Sequence, residues 1–139
     1  VFGTGVTVAI ENMPPAVNAQ LVTPDAVRDI LDEYAWLSFT WDYAHAQAAL
    51  PDDPFAFLRE CKDRMVNIHA SLGTAEMMHM PLSGTSAGEQ LRCELAAAKY
   101  SGLMTFELED LNFRKNLDYT EKTSVLAAEA AWFSGLRSI

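Results

Sequence analysis

Glu11, Asp42, His69 and Glu107 are the residues whose types and spacing suggest chemistry. They stand toward the ends of four short apolar, strand-like runs, VTVAIEN (6–12), WLSFTWD (36–42), MVNIHAS (65–71) and LMTFELE (103–109). Three carboxylates and one imidazole make a hard-to-borderline donor set suited to one divalent ion such as Mn²⁺, Mg²⁺, Co²⁺ or Zn²⁺. Without a cation, three converging negative charges would repel one another, and burial would raise their pKa values. A divalent ion removes that difficulty. Two further imidazoles lie nearby in the sequence. His45, three residues after Asp42 in what reads as the loop following the strand, could touch a substrate or a second metal, or could be a helix-start histidine facing water. His79 precedes MPLSGT in the longest interval between strands, where long loops carry function, but it also fits a surface histidine.

The strands must bring these groups together. Side chains alternate faces along a strand, so residues of one parity share a face. One face carries Thr7, Ala9 and Glu11, then Ser38, Thr40 and Asp42, then Asn67 and His69, then Leu103, Thr105 and Glu107. The other carries Val8 and Ile10, Leu37, Phe39 and Trp41, Val66 and Ile68, Met104 and Phe106. The first column is small and polar and holds no Lys or Arg, unlike a face turned to water. A barrel interior fits it, with the bulky column beneath outer helices and the active site at the C-terminal rim.

Helix start signals fall between the strands. Thr23-Pro24 opens TPDAVRDILDEY, Asp53-Pro54 opens DPFAFLRECKDR, Ser86 with Glu89 makes a capping box for GEQLRCELAAAKY, and Asp118 with Glu121 does so for YTEKTSVLAAEAAWF. Gly102 reads as a helix terminator, and Trp36, Trp41 and Trp132 as helix–strand packing. LSGTSAG (82–88) could hold a phosphate at a helix N-terminus, although turn chemistry accounts for it as well. The resulting β-α order, four times over, predicts an α/β fold of about four βα units around parallel strands.

Composition narrows the function. With 139 residues, half of them hydrophobic, the chain is long enough for one cored domain and too short for two. Nineteen acidic against ten basic residues give a formal charge of −9, which disfavours phosphate backbones and hence nucleic acid. No apolar run is long enough to span a membrane, and VFGTGVTVAI lacks the basic start of a signal peptide, so a cytoplasmic protein is expected. Cys61 and Cys93 lack metal or redox spacing and read as reduced structural thiols. Val1 stands immediately before a strand, which suggests a fragment of something longer.

The segments IENMP, FTWDYAH, VNIHAS, HMPLSGT and GLMTFELE resemble, in order and spacing, the second half of the xylose isomerase-like TIM-barrel superfamily, over almost the whole chain. That superfamily holds sugar and sugar-phosphate isomerases and epimerases and the endonuclease-four type of AP endonuclease. The resemblance implies the C-terminal half of a (β/α)8 barrel, residues 1–139 forming one domain whose first half is absent from this chain. In the isomerase and epimerase branch, positions matching Glu11, Asp42, His69 and Glu107 bind one divalent metal, and the matches of Glu11 and Glu107 also move the proton. The match of His45 helps hold the substrate, and His79 is a second candidate for that role. In the endonuclease branch, these positions together with His45 and His79 help bind a zinc cluster. There the residue two before the match of His79 is an aspartate, where this chain has Met77. Ketose epimerases usually carry an arginine soon after the metal histidine, and residues 70–78 hold none. The common PLGxG turn is here Pro81-Leu82-Ser83-Gly84-Thr85.

The expectation is thus a metal-dependent sugar or sugar-phosphate isomerase/epimerase-like protein acting on a small molecule. A phosphodiester-cleaving AP endonuclease and a non-catalytic half-barrel module are the alternatives. Four strands cannot close a barrel, so a second half-barrel or self-association is also expected.

Overall fold

The apolar runs rich in β-branched and aromatic residues form the strands of one parallel sheet. The computed structural model describes residues 5–74, 77–109 and 116–134. Its strands are β1 (Ala9–Glu11), β2 (Ser38–Asp42), β3 (Met65–His69) and β4 (Leu103–Thr105), in spatial order β1-β2-β3-β4. Helices α1 (Pro24–Glu33), α2 (Tyr43–Ala49), α3 (Ala56–Cys61), α4 (Ser86–Ala97) and α5 (Tyr119–Ser134) alternate with them, and a 3₁₀ turn, Lys62–Arg64, leads into β3. This is the expected α/β arrangement of four parallel strands with intervening helices.

Register decides which side chains meet. Ile10 pairs with Phe39, Trp41 with Ile68, and Ile68 with Met104, so the bulky column is continuous across the sheet. Phe39, Trp41 and Ile68 are fully buried beneath the helices. Phe57 lies 6.2 Å from Phe39, and Tyr43 and Phe55 lie 5.4 and 5.9 Å from Trp41, centroid to centroid. Each such pair adds roughly 0.5–1.5 kcal/mol beyond its buried area. On the opposite face Glu11 pairs with Thr40, Asp42 with His69, and His69 with Thr105.

One irregularity makes that second column possible. Phe39 pairs with Met65, but the next residue, Thr40, pairs with Asn67, so β3 gains one residue on β2 at this point. Continued without the shift, the ladder would set Asp42 against Ile68, because one residue of slip exchanges the faces of a strand. The irregularity brings His69 opposite Asp42 instead.

Several local readings need correction. The first and fourth strands are shorter than their apolar runs. His45 lies in the first turn of α2, as the helix-start alternative has it, but buried rather than facing water; the Asp42 side chain accepts its N–H and caps the helix at once. The N-cap of α4 is Thr85 rather than Ser86; its hydroxyl accepts from Gly88 N–H, while Glu89 accepts from the Trp132 indole. The residue of left-handed backbone after α4 is Lys99 (φ 52°), not Gly102. Trp36 is 52% exposed, edge-on to Tyr34, and so does little packing. The caps Thr23 on α1 and Asp118 with Glu121 ahead of α5 form as expected. Among the described residues Cys61 and Cys93 are free, and no helix is long and apolar enough to cross a membrane.

At the N-terminal end of the strands, Arg64 ties β3 to the connection between α1 and β2. Its guanidinium donates to the carbonyls of Leu31 (3.0 Å), Tyr34 (3.2 Å), Ala35 (2.8 Å) and Leu37. These carbonyls include orphans at the end of α1, which have no partner within the helix. The Arg64→Met variant is expected to lose about 2 kcal/mol of unfolding free energy, the scale of hydrogen bonds to a charged group. Urea titration followed by circular dichroism would check this; an unchanged midpoint would show that the guanidinium is dispensable.

Candidate metal centre

Strand ends and one helix start deliver the polar residues to a single place. Each of Glu11, Asp42, His69 and Glu107 presents one donor atom such that all four atoms lie within 4.8 Å of one another. Glu11 ends β1, Asp42 ends β2, His69 ends β3, and Glu107 stands two residues beyond β4. The His69 Nδ1 atom is 2.8 Å from Glu107 Oε2, 3.4 Å from Glu11 Oε1 and 3.6 Å from Asp42 Oδ2.

These contacts are close without being well-directed hydrogen bonds. Both His69 Nδ1 and Asp42 Oδ2 are buried and lack a partner of acceptable hydrogen-bond geometry. Buried polar atoms are rarely left so. Donor atoms gathered this closely, two of them without a hydrogen bond, are what a metal ion needs. Metal–ligand bonds of roughly 2.0–2.3 Å place neighbouring ligands about 3–4.5 Å apart. The donor set therefore fits a divalent ion. Asp42 divides its labour: Oδ1 accepts the His45 N–H at 2.7 Å, leaving Oδ2 toward the cluster.

Charge makes the same point. Near Asp42, Glu11 and Glu107, and despite its burial, the His69 imidazole has its pKa raised from 6.5 to about 10. Burial raises the Glu11 carboxyl, but His45 and His69 outweigh it and bring its pKa down to about 2. Burial lowers the His45 pKa, while Glu11, Asp42 and the Asn12 carbonyl more than offset it, for a net rise. In the absence of an ion, a proton on His69 supplies the positive charge.

His45 and His79 border this cluster. Their rings meet edge-to-face at 5.2 Å, and both share with Asp42 a second group of donor atoms within 4.8 Å. His45 Nδ1 is 2.9 Å from the Asn12 carbonyl and 3.4 Å from Glu11 Oε1. His79 Nδ1 is 3.1 Å from Ser71 Oγ, and the residue has a left-handed backbone (φ 58°), which is strained outside glycine. An antiparallel bridge between Leu72 and Met80 holds its loop.

Three supporting residues were not foreseen. Asn12, fully buried, exchanges two hydrogen bonds with the Asp42 main chain. Ser71 reaches His79. Glu129, fully buried on α5, accepts the N–H groups of Leu82 (2.9 Å) and Ser83 (3.0 Å). Within LSGTSAG the amides of Leu82 and Ser83 are thus engaged by Glu129 and that of Gly88 by Thr85, in keeping with turn chemistry for that stretch. A lone charge inside LAAEAAWF was the available signal for Glu129, and an amide just after a strand-ending glutamate was that for Asn12.

A family model described as xylose isomerase-like TIM barrel matches residues 3–135. No curated protein matches the sequence at a significant level. A solved structure of a D-tagatose 3-epimerase-like protein is similar over 96% of this chain, with a TM-score of 0.68 and 18% identity. The chain spans about half of that protein, 49% of its length. At this identity the likeness shows the fold, that of half a TIM barrel.

Two of the three shifted groups at this site, His69 and Glu11, set opposite pH limits on the metal-free protein. His69 has its pKa raised on folding, so its contribution is complete below pH 6.5 and is lost as pH rises through about 10. Glu11 has its pKa lowered, so its contribution is complete above pH 4.5 and is lost as pH falls through about 2. Thermal melts in chelator should therefore show the transition falling between about pH 6 and about pH 9, with His69→Gln flattening that fall. A transition temperature that rises over this range, or a fall of equal size in His69→Gln, would contradict the assignment.

Proposed function

We propose, from the premise that this chain belongs to the xylose isomerase-like TIM-barrel family, that it forms the metal-binding half of a sugar or sugar-phosphate isomerase/epimerase. The observation that carries the reading is the convergence of four donor atoms, two of them buried without a hydrogen-bond partner, at the C-terminal ends of neighbouring parallel strands. This is the end at which TIM barrels place their chemistry. The relation to a D-tagatose 3-epimerase-like fold is in keeping with a ketose substrate.

In this reading Glu11, Asp42, His69 and Glu107 hold one divalent ion, with Mn²⁺, Mg²⁺, Co²⁺ and Zn²⁺ as candidates. The ion, when bound, supplies Lewis-acid polarisation of the substrate's carbonyl and hydroxyl oxygens. Glu11, ionised far below neutral pH, is in the basic form that removes a proton from the carbon beside the carbonyl. The C–H electron pair passes toward the carbonyl oxygen. Glu107 returns a proton to the opposite face of that carbon for epimerisation; for isomerisation the proton goes to the former carbonyl carbon, while the proton of the adjacent hydroxyl passes to the former carbonyl oxygen. Asp42 and His69 hold position and move no proton. His45 and His79, bordering the cluster, orient substrate hydroxyls. The sheet face opposite the helices keeps Leu103 73% exposed, and β1 and β4 each lack an outer neighbour among the described residues. A second half-barrel, supplied by more of the same polypeptide or by another chain, would cover that face and complete the pocket.

One observation favours a second reading. Asp42, His45 and His79 form a further group of the kind a multi-metal phosphodiesterase would use, as in AP endonucleases. Met77 in place of a carboxylate and the −9 charge weigh against it. Zinc stoichiometry separates the two, since repair chemistry needs more than one ion and cleavage of an abasic-site duplex.

Calorimetric titration of the metal-free protein with Mn²⁺ should give about one ion per chain, weakened at least tenfold in Glu107→Gln. Loss of one ligand carboxylate by substitution is expected to act on this scale. Equal Mn²⁺ affinity in the variant would remove Glu107 from the site.

A further inference from the structure

Asn12 occupies a position where the chain has a local problem to solve. The β1–β2 ladder runs Ala9 to Ser38, Ile10 to Phe39 and Glu11 to Thr40. Continued in register, Met13 would face Asp42. The ladder cannot continue, because Met13 precedes Pro14-Pro15 and its N–H donates instead to Leu21 at 3.1 Å. Asp42 would thereby be left with a main-chain donor and acceptor lacking their ladder partners, although it is fully buried. Buried main-chain groups must find partners.

The Asn12 side chain supplies both. Its Oδ1 accepts the Asp42 N–H at 2.7 Å and its Nδ2 donates to the Asp42 carbonyl at 2.9 Å, imitating the peptide that left the sheet. Its own carbonyl meets His45 Nδ1 at 2.9 Å. A carbonyl can only accept, so this contact places the His45 proton on Nδ1. One residue thus fixes the last peptide of β2 and the ring of His45, and it directly follows Glu11.

We infer that Asn12 is a positioning residue: its amide locks the end of β2 so that Asp42 aims Oδ2 at the cluster, and its carbonyl holds the His45 ring in one tautomer. The clamp exists in the protein without any ion; its effect on metal affinity rests on the function proposed above. A merely structural amide would support stability and leave the orientation of these groups unchanged.

The test uses Asn12→Ala and Asn12→Ser, the latter keeping one polar group if the former folds poorly. In the metal-free protein, amide exchange by NMR should show the Asp42 N–H protected in the parent. It should exchange at least tenfold faster in the variants, while Trp41 and Ile68 remain protected. The ¹⁵N shifts of His45 should report Nδ1–H in the parent and a mixture of tautomers in the variants. Mn²⁺ affinity of the folded variants should fall at least tenfold. Unchanged His45 shifts together with an unchanged Asp42 exchange rate would overturn the clamp, whatever the metal result. A parent that binds no Mn²⁺ would defeat the metal reading while the NMR comparison still decides on Asn12. A parent that binds Mn²⁺ and a variant of equal affinity would overturn the reach of the clamp to the site.

Discussion

Three carboxylates cannot share a small, partly buried volume unless positive charge joins them. Glu11, Asp42 and Glu107 meet that condition around His69, and much else at this end of the sheet follows from it. Without an ion, the imidazole retains a proton far above its ordinary range because the acidic groups surround it. A divalent ion would replace that proton and satisfy His69 Nδ1 and Asp42 Oδ2, the cluster atoms that hydrogen bonding leaves aside. Proton and metal are alternative answers to one electrostatic requirement.

The fold meets the requirement through backbone geometry. Parallel strands bring their C-terminal ends to one edge of the sheet, so each strand needs to contribute only one ionisable side chain. The β2–β3 register is the delicate step, since the extra residue on β3 is what turns His69 toward Asp42. Around the four residues the structure fixes orientation with ordinary means. Asp42 caps α2 with one oxygen, and Glu129 secures the turn that follows His79. Among the described residues β1 and β4 have no outer neighbour, and four strands alone do not close a barrel around their ends.

Much of this was legible in the chain itself. Alternation of bulky and small side chains gave the strands and their faces, and Asp42, His69, Glu11 and Glu107 stood out by sharing a parity and ending their runs. Cap chemistry located α1 and α5 well. What escaped was whatever depends on tertiary geometry. The irregularity at Phe39/Thr40 leaves no mark in local composition, yet it decides whether the parity argument holds between β2 and β3. The helix α2 was hidden because the short YAHAQAA stretch has no separate start signal; its cap is Asp42, already assigned to a strand. Asn12 stood only as the last residue of the first strand-like run, since nothing local shows that its amide faces the main chain of a residue thirty positions away.

The central claim is that one cation joins the four strand-end side chains. Anomalous diffraction at the manganese edge, from crystals grown with Mn²⁺, tests it most directly. A single peak is expected, bonded to one oxygen each of Glu11, Asp42 and Glu107 and to His69 Nδ1 at roughly 2.0–2.3 Å. Crystals that hold Mn²⁺ elsewhere, or none, while His69 stays paired with Glu107 alone, would contradict it.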